Sequence, residues 1–202
     1  MIEIILLISA VLFIFALKLF GRPSTAHRAN SFAILAMGLA VFSAFNFDFS
    51  KYDSAFYITI VFSGLLGVLI SKRVQMTQMP ELVGLFNGFG GGASGAIAYV
   101  ELSNTSLPIS DVFVAIFSMV IGIFTFSGSL IAVLKLRGKL NNFSTKLGNI
   151  FSVFLPTILI IPAVLEMDTF LYEFIILVAL IAGVIRVAVI GGADMPVVIA
   201  FL

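Results

Sequence analysis

Seven apolar runs succeed one another along the chain, roughly at 2–20, 32–47, 55–71, 81–100, 111–134, 149–165 and 170–190. Each is long enough to cross about 30 Å of hydrocarbon as a helix. An eighth starts at Met195 and reaches only Leu202, the last residue. Nothing else in the sequence constrains the fold as strongly. The expected fold class is all-α: a polytopic transmembrane helix bundle of about seven full helices plus the start of an eighth. Composition agrees. The 202 residues are 61% hydrophobic and 10% charged, whereas soluble domains run at about 45–50% apolar and about 25% charged. A water-facing globule could not hide that much apolar surface, so the surroundings are membrane lipid.

The first run, "MIEIILLISAVLFIFALKLF", is not a signal peptide. Its leading residues carry Glu3 rather than lysines, its apolar stretch is too long, and no small-x-small cleavage site follows. It reads as the first transmembrane helix. The net charge of +1 leaves no footprint for nucleic acid. The absence of cysteine excludes disulfides, thiolate metal sites and a thiol nucleophile, and a single histidine, His27, argues against a histidine metal site. His27 lies in the polar stretch "GRPSTAHRANS", which reads as a solvated loop.

Charge placement sets the orientation. Loops after odd-numbered helices, with the helix ends beside them, carry Lys18, Arg22, Arg28, Lys72, Arg73, Lys135, Arg137, Lys139, Lys146 and Arg186. Loops after even-numbered helices carry only Lys51, among seven carboxylates. Cations collect on the cytoplasmic side. The N-terminus is therefore expected outside, with the "KRVQMTQMPE" and "GGADMP" loops in the cytoplasm. Arg186, near the cytoplasmic end of its helix, is expected to snorkel.

"QMPELVGLF" (78–86) resembles "DMPVVIAFL" (194–202): Met79 matches Met195, Pro80 matches Pro196, and small or aliphatic residues follow in step. Proline is tolerated in a first helical turn, where its missing N–H has no partner to lose. Chance similarity between two apolar segments is the alternative. If the repeat holds, the position after Leu202 corresponds to Asn87; the last run, too short to span, is expected to be a helix cut in its first turns, so that the chain is a piece of a longer protein.

"GGGASG" (90–95) is a literal G-x-G-x-x-G, but a dinucleotide fingerprint needs a strand before it and a helix after it. This one lies inside a membrane run. Gly84/Gly88, Gly88/Gly92 and Gly91/Gly95 form three overlapping G-x-x-x-G pairs, which suit close helix packing. Asn87 lies six residues past Glu81, about 9 Å along its helix, and Ser129 lies six residues before Lys135, also about 9 Å. The two therefore share one depth and could hold a water chain in hydrocarbon. The alternative is that each merely bonds its own or a neighbouring helix, and serines often bond the preceding turn. Glu81 and Asp194 stand at or before helix N-termini, where a carboxylate complements the dipole. Contact with a cytoplasmic domain, or gating of proton release, is the functional alternative.

"MPELV" with its following polar residue, "TFSGS" and above all "GGADMPVV" resemble the membrane-domain signatures of the proton-translocating NAD(P) transhydrogenase beta subunit, over essentially the whole chain. The resemblance implies that residues 1–202 are a transmembrane proton-translocating domain lacking its NADP(H)-binding domain. Asn87 and Ser129 would then line the proton path, and Glu81 and Asp194 would lie at the coupling surface. It implies an enzyme, as an intact complex, that passes hydride from NADH to NADP⁺ as protons enter the cytoplasm. NAD(H) and NADP(H) would be bound elsewhere, with no cofactor held by these residues. Implied partners are the alpha subunit, a C-terminal NADP(H) domain, membrane lipid and a second copy of the complex, in a bacterial inner membrane. Many members have histidine where this chain has Asn87, and a related arrangement places that histidine on a partner helix. A secondary transporter or channel for a small ion or solute, using the same polar layer, is the competing reading.

Overall fold

The computed structural model describes residues 2–20, 22–44, 53–103, 107–140, 160 and 169–202. Within them the chain is helical: α1 Ile2–Phe20, α2 Ala26–Ala44, α3 Ser54–Arg73, α4 Met79–Leu102, α5 Ile109–Leu136, α6 Thr169–Ala188 and the short α7 Met195–Phe201. Six of the expected runs are therefore helices, and the eighth begins at Met195 as anticipated. The expected span at 149–165 lies outside the described residues, apart from Ile160. The helix class of the bundle stands, with one shift of boundary. Helix α2 starts at Ala26 rather than near residue 32, so His27, expected in a loop, occupies its exposed first turn. Polar residues can continue a helix out of an apolar run, and apolarity alone does not mark where it starts.

By length and apolarity, α1, α3, α5 and α6 each qualify alone as membrane spans. Helices α2 and α4 do not. The first carries His27, Arg28 and Asn30 at its start, and the second dilutes its apolar residues with six glycines and Asn87.

The chain forms two compact units, Met1–Arg73 and Val74–Leu202. In the first, α1 and α2 pair as an antiparallel hairpin through small residues. Ser9 donates to the Ala36 carbonyl at 2.7 Å, Ala16, Ala29 and Ala36 are buried, and Phe15 meets Phe32 edge to face at 5.2 Å. Thr25 closes the corner by donating to the Leu19 carbonyl at 2.6 Å. Helix α3 buries none of its residues among the described part. Apolar side chains such as Leu65 and Ile58 stand exposed along it, as a lipid-facing helix requires.

The second unit is organised around α5, which packs against α4, α6 and α7. Small residues recur among its buried positions: Ala115, Gly122, Gly128 and Ala132. One apolar cluster gathers Ile116 and Met119 of α5 with Ala98 and Leu102 of α4, Ile175 of α6 and Ile160. A second joins Ala132 to Val187, Met195 and Ile199 around α7. Helix α5 ends in a Schellman motif: Gly138 takes φ +66°, its N–H bonds the Lys135 carbonyl at 2.9 Å, and the Lys139 N–H bonds the Leu134 carbonyl at 3.0 Å. Only glycine adopts that backbone without strain.

The repeat is visible in backbone geometry. A single 3₁₀ turn precedes each copy, Met76–Gln78 before α4 and Gly192–Asp194 before α7. The two preceding residues have nearly equal dihedrals, φ −93° and ψ −2° at Gln78 against φ −90° and ψ −2° at Asp194. Each helix then opens with Met-Pro, and both openings lie side by side, since a Cβ on Gly84 would sit 3.0 Å from Ile199.

Candidate functional site

Glycine brings α4 and α5 into close contact along their seam. A Cβ on Gly91 would lie 2.7 Å from Thr125 Cγ2 and 2.8 Å from the Gly122 carbonyl oxygen. One on Gly95 would meet Ile123 at 2.9 Å, one on Gly92 would meet Phe126 at 3.1 Å, and one on Gly84 would meet Val133 at 2.8 Å. The glycine spacing thus serves backbone approach. The six glycines of α4 lie within one continuous helix, and five of them pack against α5. They do not fit a dinucleotide cradle, which needs free N–H groups in a turn between strand and helix.

Close approach brings the two polar residues of matched depth into contact. Asn87 Nδ2 donates to Ser129 Oγ at 3.0 Å. Gly88 makes this possible, because a Cβ there would stand 3.1 Å from Ser129 Cβ. Ser129 is fully buried and Asn87 half-buried. The bond Ser129 accepts is inter-helical, an arrangement that both the polar-layer reading and simple helix-to-helix bonding expect. Asn87 keeps its carbonyl oxygen and a second N–H for other partners.

Thr125, one turn before Ser129, extends the layer to α7: its Oγ1 donates to the Leu202 carbonyl at 2.8 Å. Thr125 opens the same "TFSGS" stretch that holds Ser129. The i,i+4 spacing of Thr125 and Ser129 was the available signal. Ser127 turns the other way, bonding the Phe124 carbonyl at 3.2 Å beside Gly183 of α6. Lys135 was also missed. In sequence it marks the cation-rich end of its helix, yet it is only 5% exposed, and its Nζ donates to the carbonyls of Ala188 and Ile190. It caps the C-terminus of α6 from a neighbouring helix.

The two carboxylates singled out earlier have different surroundings. Glu81 is ion-paired with Arg137, Arg137 Nε to Glu81 Oε2 at 2.6 Å, which ties the start of α4 to the end of α5. Asp194 ends the 3₁₀ turn before α7 with its side chain exposed and making no cap bond. It lines a cavity of about 390 Å³ with Arg186, Ile190 and Val198. Arg186 is half-buried there at the end of α6.

A membrane helix bundle with an inter-helical polar layer near one end, and paired Met-Pro helix starts beside it, defines a class of polytopic membrane proteins. The family model for the NAD(P) transhydrogenase beta subunit matches residues 2–202, and the chain belongs to that family. It is similar to the protein named NAD(P) transhydrogenase subunit beta of Rhodospirillum rubrum, 28% identical over 211 residues, covering 97% of this chain and 45% of that protein. A second match, with the same name and the same figures, comes from a designated strain of that species. The chain thus spans less than half the length of the curated relatives it matches.

Proposed function

We propose that this chain is the proton-translocating membrane component of an NAD(P) transhydrogenase, coupling inward passage of protons to hydride transfer from NADH to NADP⁺. Family membership supports the enzyme, and the observation that carries the proton path is the Asn87–Ser129 hydrogen bond in the α4–α5 seam. Polar groups within spans are rare and mark ion and proton pathways. Asparagine and serine do not titrate in the working range, so they hold and orient water while a titratable group on a partner helix carries charge. Glu81 and Asp194, at the helix starts on the cation-rich side, are read as the surface that meets an NADP(H)-binding domain. The hydride chemistry is supplied by NAD(H) and NADP(H) bound in other parts of the complex. An alpha subunit contributes NAD(H) binding and further membrane helices, and the complex is a dimer. The location is the bacterial inner membrane with the N-terminus outside.

The test is Asn87→Leu in the intact complex, read as uncoupler-sensitive NADPH formation in inverted vesicles. Leucine removes donor and acceptor together. Coupled turnover is expected to fall at least about a hundredfold, on the scale of losing a well-placed proton-transfer group. Asn87→His should retain much more of it. Full uncoupler-sensitive activity in Asn87→Leu would mean that the path does not run past this residue.

A further inference from the structure

The corner between α1 and α2 carries positive charge with no carboxylate set against it. Lys18 lies two residues before the end of α1, and Arg28 two residues after the start of α2. The helices run antiparallel, so both stand about 3 Å inside their helix ends, at one height. Arg22 lies in the turn between them, and His27 adjoins Arg28. All four side chains are exposed. The turn that presents them is tied down. Thr25 Oγ1 donates to the Leu19 carbonyl at 2.6 Å and to the Arg22 carbonyl at 3.1 Å, and the Thr25 N–H bonds that same Arg22 carbonyl at 3.1 Å.

The carboxylates nearest in sequence are Glu3, at the start of α1, and Asp48, past the end of α2. Glu3 is about 22 Å along the helix from Lys18. The first turn of α2 holds no acidic residue either. Other cations at helix ends are engaged: Arg137 pairs with Glu81, and Lys135 donates to the Ala188 and Ile190 carbonyls. Among the described residues, none of Lys18, Arg22 and Arg28 enters an ion pair. The rule that cations collect on one side of a membrane accounts for their sign. It does not account for the missing carboxylates, since Glu81 stands beside a cation at the start of α4. Farther along the hairpin, Ile14 and Leu17 of α1 and Ile34 and Leu35 of α2 are each more than half exposed, as a wall against lipid requires. Cations at the end of such a wall match one ligand chemistry, a phosphate that carries acyl chains. Guanidinium forks pair with phosphate oxygens, and lysine adds a point charge.

We propose that the α1–α2 corner binds an anionic phospholipid of the phosphatidylglycerol type. Its phosphate sits among Lys18, Arg22 and Arg28, and its acyl chains lie against the exposed apolar residues of the hairpin. Basic clusters at the ends of membrane helices recognise anionic headgroups in this way. The bound lipid anchors the hairpin at headgroup depth. The site belongs to the first compact unit and the Asn87–Ser129 layer to the second, so the inference does not depend on the proton reading.

The test is native mass spectrometry of the intact complex in detergent, with phosphatidylglycerol and phosphatidylcholine titrated in side by side. The parent should retain phosphatidylglycerol in preference. Each basic residue beside an anionic headgroup contributes roughly fivefold in affinity. Lys18→Gln, Arg22→Gln and Arg28→Gln should each weaken phosphatidylglycerol binding by about that factor, and the three together roughly a hundredfold, with phosphatidylcholine retention unchanged. The single changes carry the result if the triple variant fails to assemble. Lys72→Gln with Arg73→Gln, at the exposed end of α3, is the control for bulk surface charge and should keep the lipid. Equal retention by the parent and every corner variant would overturn the proposal. An equal loss in the α3 variant would overturn it as well, because surface charge in general would then explain the binding. Inorganic phosphate should not displace the lipid; displacement would mean that the corner takes a free anion, and the proposal fails. If the triple variant keeps its lipid but sheds a subunit, the corner docks an acidic segment of a partner chain, which also overturns it.

Discussion

Arg137 Nε donates to the Glu81 carboxylate at 2.6 Å, so the first turn of α4 and the residue just past α5 are held together at the end of the bundle where the Asn87–Ser129 layer lies. Arg137 is 45% exposed and Glu81 18%. A pair this open is screened by water and salt. Glu81→Gln or Arg137→Gln is expected to change stability by no more than about 1 kcal/mol, and raised salt should shrink even that. Thermal denaturation of the purified protein at low and high salt measures it. A loss of several kcal/mol would show instead that the pair is part of a buried network.

The α4–α5 seam should be far less tolerant. A Cβ on Gly122 would stand 2.5 Å from the Gly91 carbonyl oxygen and 2.6 Å from the Gly95 nitrogen, both backbone atoms that cannot rotate aside. Gly122→Ala must separate the helices, at about 1–3 kcal/mol. Gly90 has nothing within 4 Å of its would-be Cβ, and Gly90→Ala should be neutral or stabilise by up to about 1 kcal/mol through helix propensity. The two variants, side by side in a detergent melting assay, decide whether glycine is present for contact or for flexibility.

Lys135 fastens the end of α6 by donating to the Ala188 and Ile190 carbonyls. Lys135→Met keeps most of the apolar stem and deletes the donors. Hydrogen bonds from a charged group contribute about 1.5–3 kcal/mol, so a loss of that order is expected. Limited proteolysis should then cut more readily around residues 189–194. Lys135→Arg should recover part of the stability. A methionine variant as stable and as protease-resistant as the parent would remove the capping role.

The charge asymmetry makes a sidedness prediction. Gln75, before α4, and Ser103, after it, are both exposed. Cysteine at Ser103 should react with an impermeant maleimide on whole cells, and cysteine at Gln75 only after permeabilisation. The reverse pattern would invert the orientation.

The helices themselves were legible because a run of about twenty apolar residues has few alternatives in lipid, and six of the seven runs appear as helices in the described residues. The matched depth of Asn87 and Ser129 was legible as well, since the rise per residue converts a count from the nearest charged helix end into a height. The Met-Pro repeat was readable from identity and reappears as two equal 3₁₀ turns.

Rotation of each helix about its own axis was not legible. A soluble helix announces its buried face by polarity, but lipid tails are as apolar as leucine, so a membrane helix has no such stripe. Helices α3 and α5 are both long and apolar, yet α3 buries nothing among the described residues while α5 is the centre of its unit. Tertiary packing alone decided that Asn87 meets Ser129 and that Thr125 reaches α7. It also turned Lys135 from an apparently solvated helix-end cation into a buried cap, because an ammonium's place depends on which carbonyls another helix brings within reach. Sequence determined which segments cross the membrane and at what height their polar groups lie. The structure decided which of those groups touch, since close contact between glycine-lined backbones depends on the relative rotation of two helices and not on the composition of either.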